Sequence, residues 1–501
     1  METANIISVG SLGSILPEII LMVGGLLLLL LDTFMGDEDD SGSGYMIASI
    51  VFLLIALVSV LLQIGIQERV ALTLVSVDAF AIFSKLIIYT GMALVAVAGG
   101  SYMNKRIDGR GEFWSLFLFV TLAMGLAVGA NNLILIFLSI EFLSITSYLL
   151  VGFVRDDKRS SEAGLKYFLF GSIASSIMLY GMSLLYGATS SLNLSQIGLA
   201  FSTNAELHPI VIPATVLVLV GLGFKTSLAP FHQWVPDTYV GAATPITAYL
   251  STVSKMTGFA VLARMLLVGL GTYREDWVPI LAGLSILTMS MGNLIALRQT
   301  SVKRMLAYSS IAQAGYILMG LVSIVSTQQV SDLTTLGMNG LNGVLIYLFA
   351  YLFTNIGAFL VVMAIEDAEG NSEVNSFDNL AQRSPALAWS MFIFLLSLTG
   401  IPLTGGFMGK FYVFGATIQH QYYWLALLAL INAGVAAYYY LNVVRAMFFG
   451  SESEVKPINI AIPVQLVVII CLVATIWIGL YPPKVIEWAD KASQQLLALV
   501  L

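Results

Sequence analysis

Glu141 lies in Ile136-Phe137-Leu138-Ser139-Ile140-Glu141-Phe142-Leu143, a carboxylate in the middle of an otherwise apolar run. Lys225 stands in Gly221-Leu222-Gly223-Phe224-Lys225-Thr226-Ser227-Leu228-Ala229-Pro230, Lys255 in the middle of the next apolar run, and Lys410 just past Gly400-Ile401-Pro402. Lys166 sits nearer the end of its own run. A charge at the centre of a membrane span costs about 3 kcal/mol or more, so such residues are functional candidates by default. One glutamate with several lysines suits proton movement. Away from water an ionisable group is pressed toward its neutral form, and an opposite charge brought near reverses that pressure. A pair that opens and closes can therefore load and release a proton. His232, two residues past Pro230, titrates nearest neutrality and could relay a proton or act as a hydrogen-bonding clip. The plainer reading of each lysine is an ammonium that snorkels to an interface or pairs as inert glue between helices.

Other ionisable residues are placed less deeply. Glu18 and Asp78 fall near run ends, where an interfacial position is expected, and Arg264 and Arg445 are expected only to snorkel. Asp237 closes Pro230-Phe231-His232-Gln233-Trp234-Val235-Pro236-Asp237 and is expected near the membrane surface.

Holding these groups at depth requires membrane helices. The chain has 501 residues, 58% hydrophobic and 10% charged, with a mean hydropathy of +0.90, whereas a soluble domain carries about 25% charged residues. The apolar blocks are too long for barrel strands and long enough for helices that cross a core about 30 Å thick. The fold class is all-α, a polytopic membrane protein with about fourteen transmembrane helices. They are expected near 15–32, 45–66, 77–99, 112–129, 131–153, 163–187, 210–239, 243–269, 277–297, 303–325, 338–365, 386–418, 422–447 and 460–481. The seventh and twelfth are longer than needed and are interrupted by Pro and Gly. Irregular backbone at membrane depth is tolerated where it lines a cavity or is buried in protein.

Loops are short, so residues 1–501 form a single membrane domain: three N-terminal helices (1–100), a first set of five (112–269), a second set of five (277–447) and a C-terminal helix (460–481). Ser147-Tyr148-Leu149-Leu150-Val151-Gly152 and Gly315-Tyr316-Ile317-Leu318-Met319-Gly320 recur five spans apart, as do the two broken spans. An odd repeat inverts in the membrane, and two inverted five-helix repeats with discontinuous helices are a transporter architecture. Aligning Tyr148 with Tyr316 sets Ser309 opposite Glu141, so the halves are not chemically equal. Basic residues gather on one side: Lys105, Arg106 and Arg110; Arg155, Lys158 and Arg159; Arg298, Lys303 and Arg304; Arg383; Lys456. That side is expected to be cytoplasmic, with both termini opposite.

Several functions are set aside by what the sequence contains. There are one Cys (Cys471) and three scattered His (His208, His232, His420), too few for a Cys-based cluster or a recognisable metal motif. No phosphate-binding or dinucleotide fingerprint occurs, so NADH, ATP and flavin are not expected on this chain, and no basic cluster points to nucleic acid. The first apolar block lacks a basic leader and a cleavage site and is expected to be a retained helix.

The stretch from Lys225 to Asp237, continued by Thr238-Tyr239-Val240-Gly241-Ala242-Ala243-Thr244-Pro245-Ile246-Thr247-Ala248-Tyr249-Leu250-Ser251-Thr252-Val253-Ser254-Lys255, resembles the antiporter-like subunits of respiratory complex I, the NADH:quinone oxidoreductase. These subunits are relatives of Mrp-type Na⁺/H⁺ antiporter subunits. The resemblance runs through Lys303-Arg304-Met305-Leu306-Ala307-Tyr308-Ser309-Ser310-Ile311 to the Gly-Ile-Pro…Gly-Lys segment. Ala-Ala-Thr-Pro-Ile-Thr before Lys255 and the Leu16-Pro17-Glu18 opening fit the N-type branch. Lys410 stands where the M-type has a glutamate, and the L-type's lateral helix is not provided. The resemblance implies two half-channels, with Glu141 and Lys225 as the gating pair, Lys255 as central relay, Lys410 near the exit and Lys166 modulating Lys225. It implies a noncatalytic subunit in the bacterial cytoplasmic membrane, in contact with lipid and with antiporter-like and small helical membrane-arm subunits. FMN, iron–sulfur clusters and quinone would belong to partner subunits. A free-standing Na⁺(K⁺)/H⁺ antiporter subunit and a ferredoxin-driven photosynthetic relative are the alternatives.

Overall fold

In a computed structural model the protein is described over residues 9–35, 43–65, 69–324, 338–450 and 457–498; Lys456 lies outside them. After a short helix at Val9–Ser14, the apolar blocks form α1 (Leu16–Met35), α2 (Ser43–Leu61), α3 (Ala79–Asn104), α4 (Arg110–Gly129), α5 (Leu133–Val151) and α6 (Lys158–Thr189). The broken seventh span is α7 (His208–Thr226) followed by α8 (Trp234–Gly241). Then come α9 (Thr244–Gly269), α10 (Arg274–Ala296), α11 (Val302–Val322) and α12 (Gly340–Glu369). The broken twelfth span is α13 (Pro385–Thr399) and α14 (Gly405–Gln419), and α15 (Tyr423–Phe449) and α16 (Ile462–Leu480) follow. Among the described residues 13 helices are long and apolar enough to cross a membrane. The α13–α14 pair, two 15-residue pieces, supplies one more crossing between them.

Burial sorts these helices. Every residue of α9 is buried, and α11 and α12 are nearly so, whereas α1, α2, α15 and α16 turn much of their surface outward. A helix apolar all round belongs either in a core or against lipid; here both kinds occur, and the buried kind carries the polar chemistry. Two stretches of α9, Leu250–Ser254 and Met265–Gly269, widen into π-helix, a distortion that recurs at functional sites.

Three elements escape the hydropathy reading because none is a span. Arg69–Ala71 and Val75–Val77 make a hairpin in the register Arg69↔Val77 and Ala71↔Val75. Three residues, Leu72 to Leu74, connect the paired Ala71 and Val75, and Leu72 and Thr73 both have positive φ. A ten-residue helix at Leu194–Thr203 runs beside Met265–Gly269. The third is α17 (Pro483–Ala498), whose Val485, Ala489, Ala492, Leu496 and Leu497 dock against α3 and α12. All three lie on one face. On the other face the basic loops are tied together by Arg106–Asp367, Lys303–Glu366, Arg304–Asp237 and Arg383–Glu369.

A buried row of lysines as the candidate functional site

The break between α7 and α8 is held open by partners from several helices. Ser227 caps α7 at φ +65, its N–H reaching the Gly223 and Phe224 carbonyls. The Trp234 indole donates to the Phe224 carbonyl (3.1 Å), and the Ala229 N–H donates to Thr288 Oγ1 (2.9 Å). A helix end leaves unsatisfied backbone groups, and here side chains take them in place of water. Lys225 sits in the last turn of α7, 2% exposed. Its Nζ meets Tyr167 Oη at 3.3 Å and Ser144 Oγ at 3.4 Å. Ser144 lies one turn along α5 from Glu141, so the lysine reaches the carboxylate's helix without closing on the carboxylate. Glu141 itself is half-buried, and its Oε1 is enclosed with no hydrogen-bond partner among the described residues. Glu141 and Lys225 therefore lie near one another without forming an ion pair.

From Lys225 the row continues into α9. A Cβ at Gly258 would stand 3.4 Å from Lys225 Cγ, so the missing side chain lets α9 lie directly on the lysine. One turn back is Lys255, 0% exposed, whose Nζ donates to the Ser310 carbonyl (2.6 Å) and to Ser310 Oγ (3.1 Å). The π-helical stretch Leu250–Ser254 immediately precedes it.

The second break repeats the logic with a different cation site. Gly400 caps α13 at φ +94, and Gly406 N–H and Phe407 N–H are taken by Ser397 Oγ (2.9 Å) and Thr404 Oγ1 (3.4 Å). Lys410 Nζ then donates to the Leu398 carbonyl (2.8 Å) and the Thr399 carbonyl (2.9 Å), with the Tyr316 ring 4.7 Å away. The ammonium occupies the C-terminal end of a half-helix, where free carbonyls and the negative dipole end favour a cation.

A hydrogen-bonded bridge that sequence reading did not single out joins the last two lysines. Ser309, beside the Ser310 that holds Lys255, bonds to Tyr440 Oη at 2.5 Å. Gln313 Nε2 donates to Tyr440 Oη (3.3 Å) and to the Leu398 carbonyl (3.0 Å), the oxygen that also receives Lys410. Tyr347 Oη donates to Gln313 Oε1. Ser309, which the alignment of Tyr148 with Tyr316 sets opposite Glu141, thus supplies a polar group although not an acid.

Lys225, Lys255 and Lys410 have no carboxylate partner within ion-pair distance among the described residues. Lys166 differs. It is 39% exposed and pairs at 2.8 Å with both Glu162 and Asp237, and Asp237 also takes Arg304 at 3.1 Å. These groups line a cavity of about 140 Å³ on the basic-loop face. Lys166 therefore contacts the surface carboxylates and not Lys225, although its neighbour Tyr167 touches Lys225. His232 is buried in the first break, and its Nδ1 has no partner among the described residues. Asp237 is half-exposed, as its position in the sequence implies.

Four other residues depart from expectation. Asp78 and Arg264 do not sit at an interface: they form a bidentate pair at 2.7 and 2.9 Å with 1% and 2% exposure. Glu18 is 3% exposed and pairs at 2.6 Å with Lys85, a further charge inside an apolar run that sequence reading did not single out. Lys303, grouped above with loop cations, is buried against the Ala242 carbonyl (3.0 Å) and Glu366 (3.3 Å). Each was misplaced for one reason: a span end is exposed only if no other element covers it.

Comparison with known proteins agrees with this geometry. Residues 130–436 match the transmembrane family described as NADH:quinone oxidoreductase/Mrp antiporter. The NADH-quinone oxidoreductase subunit N of Trichlorobacter lovleyi is 37% identical over 98% of this chain and 99% of its own length. A chain of respiratory complex I from Thermus thermophilus is 31% identical, with a TM-score of 0.78 over 94% of this chain and 98% of that one. A chain of the Mrp complex from a Dietzia species shares the fold alone, at 19% identity and a TM-score of 0.83 over 98% of this chain and 100% of that one. The chain thus belongs to the NADH:quinone oxidoreductase/Mrp antiporter family, in the branch of NADH-quinone oxidoreductase subunit N.

Proposed function

We propose that this chain moves protons across the membrane as a membrane-arm subunit of an NADH-quinone oxidoreductase, using Glu141, Lys225, Lys255 and Lys410 in turn. The observation that carries the reading is the row of buried polar groups spread from α5 to α14, in which three lysines lack a counter-ion among the described residues. A lysine held by hydroxyls and carbonyls can exist with or without its proton, whereas a lysine locked to a carboxylate is held charged. Protons would be taken up through the cavity at Lys166, Asp237 and Arg304, with His232 as a relay beside the first break, and would leave on the opposite face. The polar bridge at Gln313 and Tyr440 supports transfer from Lys255 to Lys410.

The redox work is assigned to partners. FMN, iron–sulfur clusters and quinone would reside in other subunits of the assembly, and this chain would contribute translocation without a redox centre. The basic face is read as cytoplasmic in a bacterial inner membrane, with both termini on the other side. The spans over 112–269 and 277–447 are read as inverted repeats, which the two matching helix breaks support. The 31% identity to a chain of complex I and the 37% identity to a subunit N favour this reading over a free-standing antiporter, since the Mrp chain compared is only 19% identical.

The test is Glu141→Ala and Lys225→Ala in the assembled complex, reconstituted in vesicles with proton pumping read by a pH-sensitive dye. Both variants should assemble, pump several-fold less and slow the coupled oxidoreductase rate. Normal pumping by both would remove the channel from this chain.

A further inference from the structure

The row described above ends at Lys410, at mid-depth, and leaves unspecified what receives its proton. Two features of the packing bear on this. Gly343 of α12 lies against α14, where a Cβ would meet the Val413 nitrogen at 3.1 Å and the Tyr412 carbonyl carbon at 3.2 Å. Gly409 meets the Tyr347 Cα in the same way, at 2.7 Å. The two helices run antiparallel, so Asn342 lies between three and four residues, about 5 Å along the axis, beyond the level of Lys410 toward the face opposite the basic loops. At that level α17 crosses the helix ends, and the Asp490 carboxylate accepts a hydrogen bond from Asn342 Nδ2.

Asp490 differs from the other acids of α17. Glu487 is exposed and pairs with Lys491 at 2.7 Å on the outer side of the helix. Asp490 is half-buried on the inner side, beside Ala489, with no cation within ion-pair distance among the described residues. A carboxylate serving only to dock α17 would gain more from a lysine than from an amide. One that must take and give up a proton is better without a fixed cation. Burial raises its carboxyl above the ordinary aspartate value, and the Asn342 hydrogen bond partly offsets this.

We propose that Asp490 is the release group of the pathway: it takes the proton leaving Lys410 and passes it to the face opposite the basic loops. The inference rests on the proton-translocating reading above. The transfer balances simply. The Lys410 ammonium loses a proton through intervening water to the Asp490 carboxylate, leaving a neutral amine and a carboxylic acid. The acid then gives the proton to bulk water, and Lys410 is recharged from the Lys255 side. This makes α17 part of the transport machinery and not merely a clasp.

The experiment compares Asp490→Asn, Asp490→Glu and Lys410→Ala in the assembled complex in vesicles. Asp490→Asn keeps the Asn342 contact and should assemble, yet pump about tenfold slower or worse, at the lower end of what a positioned proton-transfer group supplies. Asp490→Glu should restore most of the rate. A small weak acid such as formate, loaded on the release face, should rescue Asp490→Asn, which no docking role would allow. Loss of pumping in Lys410→Ala with wild-type pumping in Asp490→Asn would overturn the proposal and leave the reading of the row intact. A defect in Asp490→Asn that neither Asp490→Glu nor formate repairs would reduce the residue to a docking contact. Normal pumping in Lys410→Ala, Lys225→Ala and Glu141→Ala would instead overturn the reading on which the proposal stands.

Discussion

Removing one member of the Asp78–Arg264 pair leaves a buried charge without its partner, and the cost of that is about 3–5 kcal/mol. Asp78 does double duty, since its Oδ1 also caps α3 by accepting the Ala81 N–H at 2.7 Å. Asp78→Ala should therefore lower the unfolding temperature in detergent strongly, with Arg264→Met nearly as harmful. Asp78→Leu combined with Arg264→Met should recover much of the loss, because apolar replacement of a whole buried pair is often tolerated. A double variant no more stable than the singles would show that the cap, and not the pair, matters. Within the proposed proton path, Gln313→Leu removes the group shared by Tyr440 and the Leu398 carbonyl. Pumping should fall about tenfold or more with assembly intact, as read by the dye assay and a native gel; an unchanged rate would place the Lys255–Lys410 transfer elsewhere. Glu141, Lys225, Lys255 and Lys410 could be picked out from sequence because a charge inside an apolar run is visible without tertiary knowledge. Gln313 and Tyr440 could not, since an uncharged polar residue in a span is common and its partners lie far along the chain. Asp78 and Arg264 were judged by their distance from a span end, which says nothing of what covers that end.

At the scale of elements, the second break depends on how closely α14 approaches the end of α13. A Cβ on Gly406 would stand 1.9 Å from the Ser397 carbonyl oxygen, a backbone atom that cannot turn aside. Gly406→Ala should push the half-helices apart, shift the carbonyls that hold Lys410 and cost about 1–3 kcal/mol, as overpacking does. Gly434 in α15 has nothing within 4 Å of its would-be Cβ, and Gly434→Ala should be neutral or stabilising by up to about 1 kcal/mol. Thermal unfolding of the two variants side by side measures the contrast, and equal behaviour would mean that the break has slack. Both breaks were legible from Pro and Gly inside long apolar runs, because no other residues interrupt a helix so plainly. The hairpin, the Leu194–Thr203 helix and α17 were not, since hydropathy finds what crosses a membrane and passes over what lies along it.

At the scale of the whole molecule, the outward faces are not alike. On α15 the outer surface is made of large apolar side chains, Leu427, Leu430, Ile431 and Leu441, as suits lipid. On α6 the exposed Ser176 and Ser183 stand among large apolar side chains such as Leu165, Leu169, Ile173 and Tyr180, with the half-buried Ser172 one turn before Ser176. Their serine hydroxyls are satisfied by carbonyls of their own helix, such as Phe168 and Ser172, so lipid would be bearable there. Their small size is the telling property, because small residues let helices approach closely in membranes. The half-buried carboxylate of Glu141 lies on the adjoining α5, where exposure to lipid would be costly. This face is therefore the one expected to meet a neighbouring subunit, which would also finish enclosing Glu141. Ser176→Phe sets a bulky ring among these small residues while keeping the face apolar, so this subunit should insert and fold as before but fail to co-purify with its membrane-arm partners. Leu430→Phe on α15 is the matched substitution and should leave assembly unchanged. If Ser176→Phe assembles as well as Leu430→Phe, the α5–α6 face meets lipid, and Glu141 must be enclosed by this chain alone.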